Sequence, residues 1–330
     1  MSDRDQFFIG GTWVEPEGTQ RIEIVSPHTE EVIASVPAGT IADIDRAVAA
    51  ARTAFDGGDW AATPATERAV AVGKLAEIFA ARLDEINQVI TAEMGSPITF
   101  GRMSQAMLPQ MIYQYYADLG KNYQFSDERV GMLGPSLVRR EPVGVVAAIV
   151  PWNVPQFLIA SKLAPALVAG CTVVVKPAPE TALDSYLLAE MVAEAGIPAG
   201  VVNIVAAGRE AGEHLVSHPG VDKVAFTGST AAGRRIGEIC GGRLKRCSLE
   251  LGGKSAAIIL DDADLNIAVP MLKLTGLLNN GQACIAQSRV LAPRGRYDEV
   301  VDALAEMVRS VNVGDPADAA TEVGPLVAQR

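Results

Sequence analysis

Apolar positions change rhythm along this 330-residue chain. Residues 7–36 alternate and turn quickly (FFIGGTWVEP, IEIVSP, EEVIASVP), which predicts short antiparallel strands. IADIDRAVAAARTAF then places Ile44, Val48 and Ala51 at helical spacing. ATERAVAVGKLAEIFAARLDEINQVITAEMG reads as one long helix, or two, ending at Gly95, and a further helix is expected near residues 102–120. SLVRREPVGVVAAIVP resembles a strand pair with Pro142 at a bend or edge.

From residue 144 the pattern becomes regular. Strand GVVAAIV precedes helix VPQFLIASKLAPALVAG, and strand CTVVVKP precedes helix TALDSYLLAEMVAEAG. Strand VVNIVA leads to a helix over 209–218, strand KVAFTG leads to helix TAAGRRIGEICGG, and RCSLEL and SAAIIL close the run. Strands nearly continuous in Val, Ile and Ala, alternating with helices, predict an α/β fold: a Rossmann-like parallel sheet covered by helices on both faces. Ligands bind such sheets at the C-terminal strand ends, which here read PWN, KPAPET, AAG, FTGST and LELGG. The GGK turn near residue 252 marks a plausible boundary. No internal repeat or low-complexity segment is evident.

Composition narrows the class without naming it. A net charge of −11 argues against nucleic acid and anionic membranes as partners, since both would be repelled. The start, MSDRDQFFIGG, has no basic region followed by an apolar run, and the apolar stretch 143–171 is broken by Pro151, Pro155, Lys162 and Pro165. A cytoplasmic protein is the expectation. The four cysteines, Cys171, Cys240, Cys247 and Cys284, form no C-x-x-C pair, so neither a zinc site nor a disulfide framework is expected.

The candidate chemistry lies at the strand ends. In FTGSTAAG, Gly228 permits a close turn and Ser229 and Thr230 can cap the next helix; this suits a pyrophosphate, and an ordinary capped junction fits it as well. Glu250 lies about 20 residues further on, where a ribose contact is often found. Flanked by Leu249 and Leu251, it also reads as a carboxylate in apolar surroundings, suited to a general base. Lys176 is either a solvated strand-end lysine or a donor to ribose hydroxyls. Asn153 is either a helix N-cap or a donor to an oxyanion. His214 and His218 have the spacing of a metal pair, but no third ligand is evident and the HPG sequence reads as an exposed helix end. Cys171, Cys240 and Cys247 read as core or packing residues. Cys284, in NNGQACIAQSR, has small neighbours and an irregular approach, which leave its thiol accessible.

In this order PWN, KPAPET, FTGST, LELGGK and GQACIAQSR resemble the aldehyde dehydrogenase superfamily, whose NAD(P)-dependent members use a cysteine nucleophile. The likeness runs from FIGGTWVEP to VGPLVAQR. It implies that Cys284 is the catalytic thiol, Glu250 the general base, and Asn153 the oxyanion donor beside the backbone N–H of Cys284. It implies Lys176 as the adenosine-ribose contact, Gly228 and Ser229 as the pyrophosphate turn, and Trp152 on the nicotinamide side. Pro151, Gly208, Gly233 and Leu251 complete the implied NAD or NADP site, and no metal is implied. The thiolate would attack the aldehyde, hydride would pass to the nicotinamide, and Glu250 would activate the water that hydrolyses the thioester.

The resemblance also implies an organisation: a dinucleotide-binding domain in two parts (1–125 and 146–252), a β bridging or oligomerisation segment (126–145), and the start of a second α/β catalytic domain (253–330). A small aldehyde as substrate and a homo-oligomer, dimer or tetramer, at full length follow from it. Met107, Tyr113, Tyr116, Phe157, Ala283 and Ile285 are tunnel candidates that suggest an apolar aldehyde, although such residues at helical spacing are more often core. Two departures stand out. Pro179 occupies the place where NAD-preferring members carry an acid, with Glu180 one residue later, which leaves NAD against NADP open. Family members are also longer, so the chain is expected to be C-terminally truncated, lacking a second carboxylate at the nicotinamide ribose and part of the substrate tunnel. A CoA-acylating enzyme and a non-catalytic nucleotide-binding fragment are the alternatives; an intact LELGGK favours hydrolysis over the former.

Overall fold

The computed structural model describes residues 1–329. The N-terminal region holds β1 (Phe7–Ile9), β2 (Thr12–Val14), β3 (Arg21–Val25) and β4 (Val32–Pro37), then α1 (Ile41–Asp56), α2 (Ala65–Ala81) and α3 (Leu83–Met94). The single turn α4 (Ile98–Gly101) runs through a π-helical turn (Arg102–Met107) into α5 (Leu108–Asn122). A hairpin of β5 (Ser126–Gly131) and β6 (Gly134–Arg139) follows. The regular alternation comprises β7 (Val145–Ile149), α6 (Pro155–Ala169), β8 (Thr172–Lys176), α7 (Leu183–Glu194), β9 (Val202–Ile204), α8 (Arg209–Ser217), β10 (Lys223–Gly228), α9 (Thr230–Gly242) and β11 (Arg246–Leu251). Last come β12 (Ala256–Ile258), α10 (Leu265–Leu277), β13 (Arg289–Leu291) and α11 (Tyr297–Arg309).

The expected α/β sheet is present, with order β11-β10-β7-β8-β9-β1-β2; its first five strands are parallel, and β1 and β2 join antiparallel at one edge. Every residue of β7 and β8 is buried, because helices cover both faces. Strand alternation divides their side chains between two cores. Val146, Ala148, Val173 and Val175 face α2, α3, α5, α6 and α7, while Val145, Ala147 and Val174 face α1, α8 and α9. Local signals agree with this packing. Thr40 and Asp43 form a reciprocal capping box at the start of α1, and Gly95, at φ 78°, closes α3. At the start of α7 the buried Glu93 carboxyl accepts the N–H groups of Leu183 and Asp184, and the buried Asp184 carboxyl accepts from Gln156.

Four expectations are corrected. β6 and β7 do not pair with each other: β6 pairs with β5, and β7 lies between β8 and β10. SAAIIL does not close the large sheet, since β12 pairs with β13 in a sheet of its own, packed on α10 and α11 through Ala257, Ile259, Leu272 and Val300. The helix near 102–120 begins earlier and is wound as a π turn over its first part. Cys247 is exposed rather than packed inside, because β11 is the edge strand. Among the described residues no helix is long and apolar enough to cross a membrane.

Candidate active site

The strand order reverses between β7 and β10: β8 and β9 extend the sheet on one side of β7, and β10 and β11 on the other. Such a switch point leaves a crevice at the C-terminal strand ends. Ile149 pairs with Phe226, so the two ends are level, and Pro151, Trp152 and Asn153 leave β7 opposite Gly228 and Ser229 leaving β10. Gly228 is required there, since a Cβ would come within 2.5 Å of the Phe226 ring. Ser229 caps α9, its side chain accepting the N–H of Ala232 at 3.2 Å. Gly233 lies one turn on, where a Cβ would come within 2.4 Å of the Leu251 side chain; helix and edge strand meet through this glycine.

Lys176 is buried, not solvated. Its Nζ donates to Pro177 O (2.9 Å) and Ala207 O (2.8 Å), and its stem lies 3.3 Å from where a Cβ on Gly212 would be. Burial lowers its pKa to about 8, with the charge of Glu180 pulling the other way. Two carbonyls use two of the three ammonium donors, which leaves one for a ligand hydroxyl. Beside it Gly208, the N-cap of α8, has open space where a Cβ would be. An ammonium donor, a glycine opening and a capped helix start along one strand-end edge fit the ribose and phosphates of a dinucleotide.

Asn153 joins this crevice to the cysteine loop. Its Nδ2 donates to Gln282 O at 2.8 Å, two residues before Cys284. It is not the N-cap of α6; that position is Val154, without a side-chain cap. Cys284 is exposed, as an accessible thiol requires. Glu250 is also exposed, which corrects the expectation of apolar surroundings: alternation along β11 sends Leu249 and Leu251 toward the core and Glu250 to the opposite face. Among the described residues no hydrogen bond joins Glu250 to Cys284 directly, so a base role would act through water.

The Aldehyde dehydrogenase family pattern matches residues 13–330. Geranial dehydrogenase from Castellaniella defragrans is 50% identical over 325 residues, a match covering 98% of this chain and 68% of that one. The structure of a Mycobacterium tuberculosis aldehyde dehydrogenase complexed with NAD+ superposes with a TM-score of 0.97 at 47% identity, covering 99% of this chain and 68% of that one. Aldehyde dehydrogenase C from Pseudomonas syringae, a cysteine-to-alanine variant in complex with NAD+ and octanal, gives 0.94 at 39% identity over 98% and 66%. The chain belongs to the aldehyde dehydrogenase family.

The reaction of this family is the oxidation of aldehydes to acids with a nicotinamide dinucleotide. In this aldehyde dehydrogenase the fold also brings Lys162 to the crevice. Lys162, on α6, donates to Thr227 Oγ1 at 2.7 Å; burial lowers its pKa to about 8, and the nearby Glu250 charge raises it. In sequence it appears only as a break in an apolar run. Tyr113 is a core residue, fully buried against Phe79, and does not line a tunnel. The histidine pair does meet a third group. Asp45 Oδ1 lies 2.6 Å from His214 Nε2 and 3.3 Å from His218 Nε2. His218 Nδ1 accepts the N–H of Gly220 at 2.9 Å. The neutral ring therefore carries its proton on Nε2 and donates to Asp45, instead of offering that nitrogen to a metal.

Proposed function

We propose that the chain oxidises an apolar aldehyde to its carboxylate through Cys284, Asn153 and Glu250. The observation that carries this is the Asn153 Nδ2 to Gln282 O bond, which sets an amide donor at the dinucleotide crevice against the loop bearing the thiol. The Cys284 thiolate adds to the aldehyde carbon. The resulting oxyanion takes the second N–H of Asn153 and the backbone N–H of Cys284. Bound NAD(P) supplies the hydride acceptor. Glu250 then takes a proton from water as it attacks the thioester, and the Cys284 thiolate leaves with the carboxylic acid released.

Lys176 would hold the adenosine ribose, with Gly208 beside it. Pro151, Trp152, Gly228 and Ser229 would form the rest of the dinucleotide wall, and Gly233 and Leu251 would set its floor through their packing. The charge of Glu180 reaches Lys176, and a negative group there disfavours a 2′-phosphate, which supports NAD over NADP. The 50% identical geranial dehydrogenase and the octanal bound in the Pseudomonas syringae neighbour support an apolar substrate. The β5–β6 hairpin exposes Val130, Met132, Leu133 and Leu137, which supports a homo-oligomer formed through this segment. The separate β5–β6 and β12–β13 sheets support segments at 126–145 and 253–330, around the two parts of the dinucleotide-binding domain. A cytoplasmic location is part of the same reading.

The test is oxidation of geranial and octanal with NAD+, followed by mass spectrometry of the protein. Cys284→Ala should abolish oxidation, and Glu250→Gln should accumulate an acyl thioester on Cys284. Oxidation surviving in Cys284→Ala would overturn the reading.

A further inference from the structure

The approach to Cys284 is an unusual piece of backbone. Asn279 (φ 53°), Asn280 (φ 61°) and Gly281 (φ 71°) are three consecutive left-handed residues. Two of them carry side chains, and a conformation so sparsely populated persists only where the surroundings hold it. Both asparagines are buried, at 2% and 7% exposure.

Their amides do different jobs. Asn280 anchors the turn: its Nδ2 donates to Gly95 O (2.8 Å) and Pro325 O (2.9 Å), and its Oδ1 accepts the N–H of Gly324 at 2.7 Å. Asn279 adds one tie to the same segment and one to Asn153. Its Nδ2 donates to Asn153 O at 2.8 Å, and its Oδ1 accepts from the buried Ser96 hydroxyl at 2.9 Å. A carbonyl can only accept, so Asn153 O fixes which way the Asn279 amide faces. A second amide reaches the same carbonyl: Gln105 Nε2, 2.9 Å away, on the π-helical turn. Such turns often mark functional sites, and this one presents a buried glutamine to the strand end. Both lone pairs of the Asn153 carbonyl are thus occupied from two separate elements, while the Asn153 side chain bonds back to Gln282 O.

We propose that Asn279, backed by Ser96 and assisted by Gln105, is a positioning residue that locks Asn153 and the Cys284 loop together in a preset geometry. Buried at 2% exposure, it would act on the reaction through Asn153. Asn153 and Cys284 lie on segments far apart in sequence, and an oxyanion donor is effective only if it is fixed before charge develops. The amide of Asn279 supplies that fixing from the nucleophile's own loop. The proposal rests on Asn153 and Cys284 having the roles given above, but its first test does not depend on them.

Asn279→Gly keeps the left-handed turn without strain and removes the amide. Asn279→Asp keeps an acceptor for Ser96 and sets a carboxylate oxygen against Asn153 O in place of the donor. In hydrogen–deuterium exchange of the full chain, both should speed exchange across residues 151–156, with Asn280's anchoring bonds intact. Unchanged exchange over 151–156 would overturn the proposal, whether or not the catalytic roles hold. In aldehyde oxidation both variants should lower kcat by up to about 100-fold, the cost of misplacing a catalytic group by roughly 1 Å, with KM for NAD+ unchanged. In an Asn153→Ala background the same substitutions should cost little more. Equal losses in both backgrounds would mean that Asn279 does not act through Asn153. Cys284→Ala retaining oxidation would instead remove the catalytic reading and leave the exchange result to decide the coupling.

Discussion

Lys162 Nζ donates to Thr227 Oγ1 over 2.7 Å, and Thr227 sits directly across the parallel ladder from Glu250. A half-buried ammonium is therefore held beside the proposed base. Burial brings Lys162 to about 8, so it loses its proton at mildly alkaline pH. A base without a neighbouring cation takes a proton from water more readily. The expected outcome is a rise in kcat as pH passes through about 8 at saturating cofactor. Lys162→Arg stays charged throughout and should flatten that rise. A pH profile identical in wild type and Lys162→Arg would exclude the link.

Lys176 carries a different pH dependence. With two donors held by Pro177 O and Ala207 O, the third exists only while the amine is protonated. NAD+ affinity should weaken as pH rises through about 8. Lys176→Met should weaken it at neutral pH by about 10- to 100-fold, the value of one hydrogen bond to a charged group. Calorimetric titration with NAD+ measures both.

Gly233 is a contact rather than a hinge. The first turn of α9 meets β11 there, with Leu251 within 2.4 Å of a Cβ. Gly233→Val should cost about 1–3 kcal/mol by overpacking and should tilt the capped end of α9 away from the crevice. A thermal melt would show the first effect, and a weaker NAD+ titration the second. An unchanged melting temperature would mean that Leu251 yields freely.

The sequence exposed the sheet because its strands are runs of Val, Ile and Ala bounded by Pro and Gly, a pattern that leaves little else for them to be. It exposed Lys176 and Ser229 for a related reason, since strand ends are legible, whereas Cys284 stands out by its small neighbours in an irregular loop. Pairwise relationships were not. Nothing in PQFLIASKLAPAL says that Lys162 meets Thr227, since that contact exists only once α6 lies on the sheet. The exposure of Glu250 is not legible because its neighbours in sequence are apolar, whereas its neighbours in space are set by the alternation of β11. The exposure of Cys247 is not legible either, because edge position is a property of strand order, which single strands do not encode.

The buried carboxyl pair under α7 sets a stability limit on the alkaline side. Burial raises Asp184 to about 7, and burial with the nearby Asp184 charge raises Glu93 well above its usual range. Carboxyls raised above their unfolded values of about 4 bind protons more tightly in the fold. The contribution of Asp184 is complete below about pH 4 and is lost as pH rises through about 7, and Glu93 acts in the same direction. Asp184→Asn removes one ionisation while keeping an acceptor for Gln156. It should raise the melting temperature above neutral pH and flatten the dependence on pH. Parallel melting curves for both proteins from acid to alkaline pH would refute this.

The turn before Cys284 has a chemical consequence as well as a geometric one. Asn280–Gly281 is an Asn-Gly pair, the dipeptide most prone to spontaneous deamidation through a cyclic imide, and asparagine is a thermolabile residue. Here its amide is held by three partners in a buried turn, so cyclisation must wait for local opening. Once it occurs, a carboxylate replaces the donor facing Gly95 O and Pro325 O, and the turn cannot close as before. Stored protein should therefore age beside Cys284 at the rate of that opening, with isoaspartate at position 280 accumulating in step with lost activity in peptide maps.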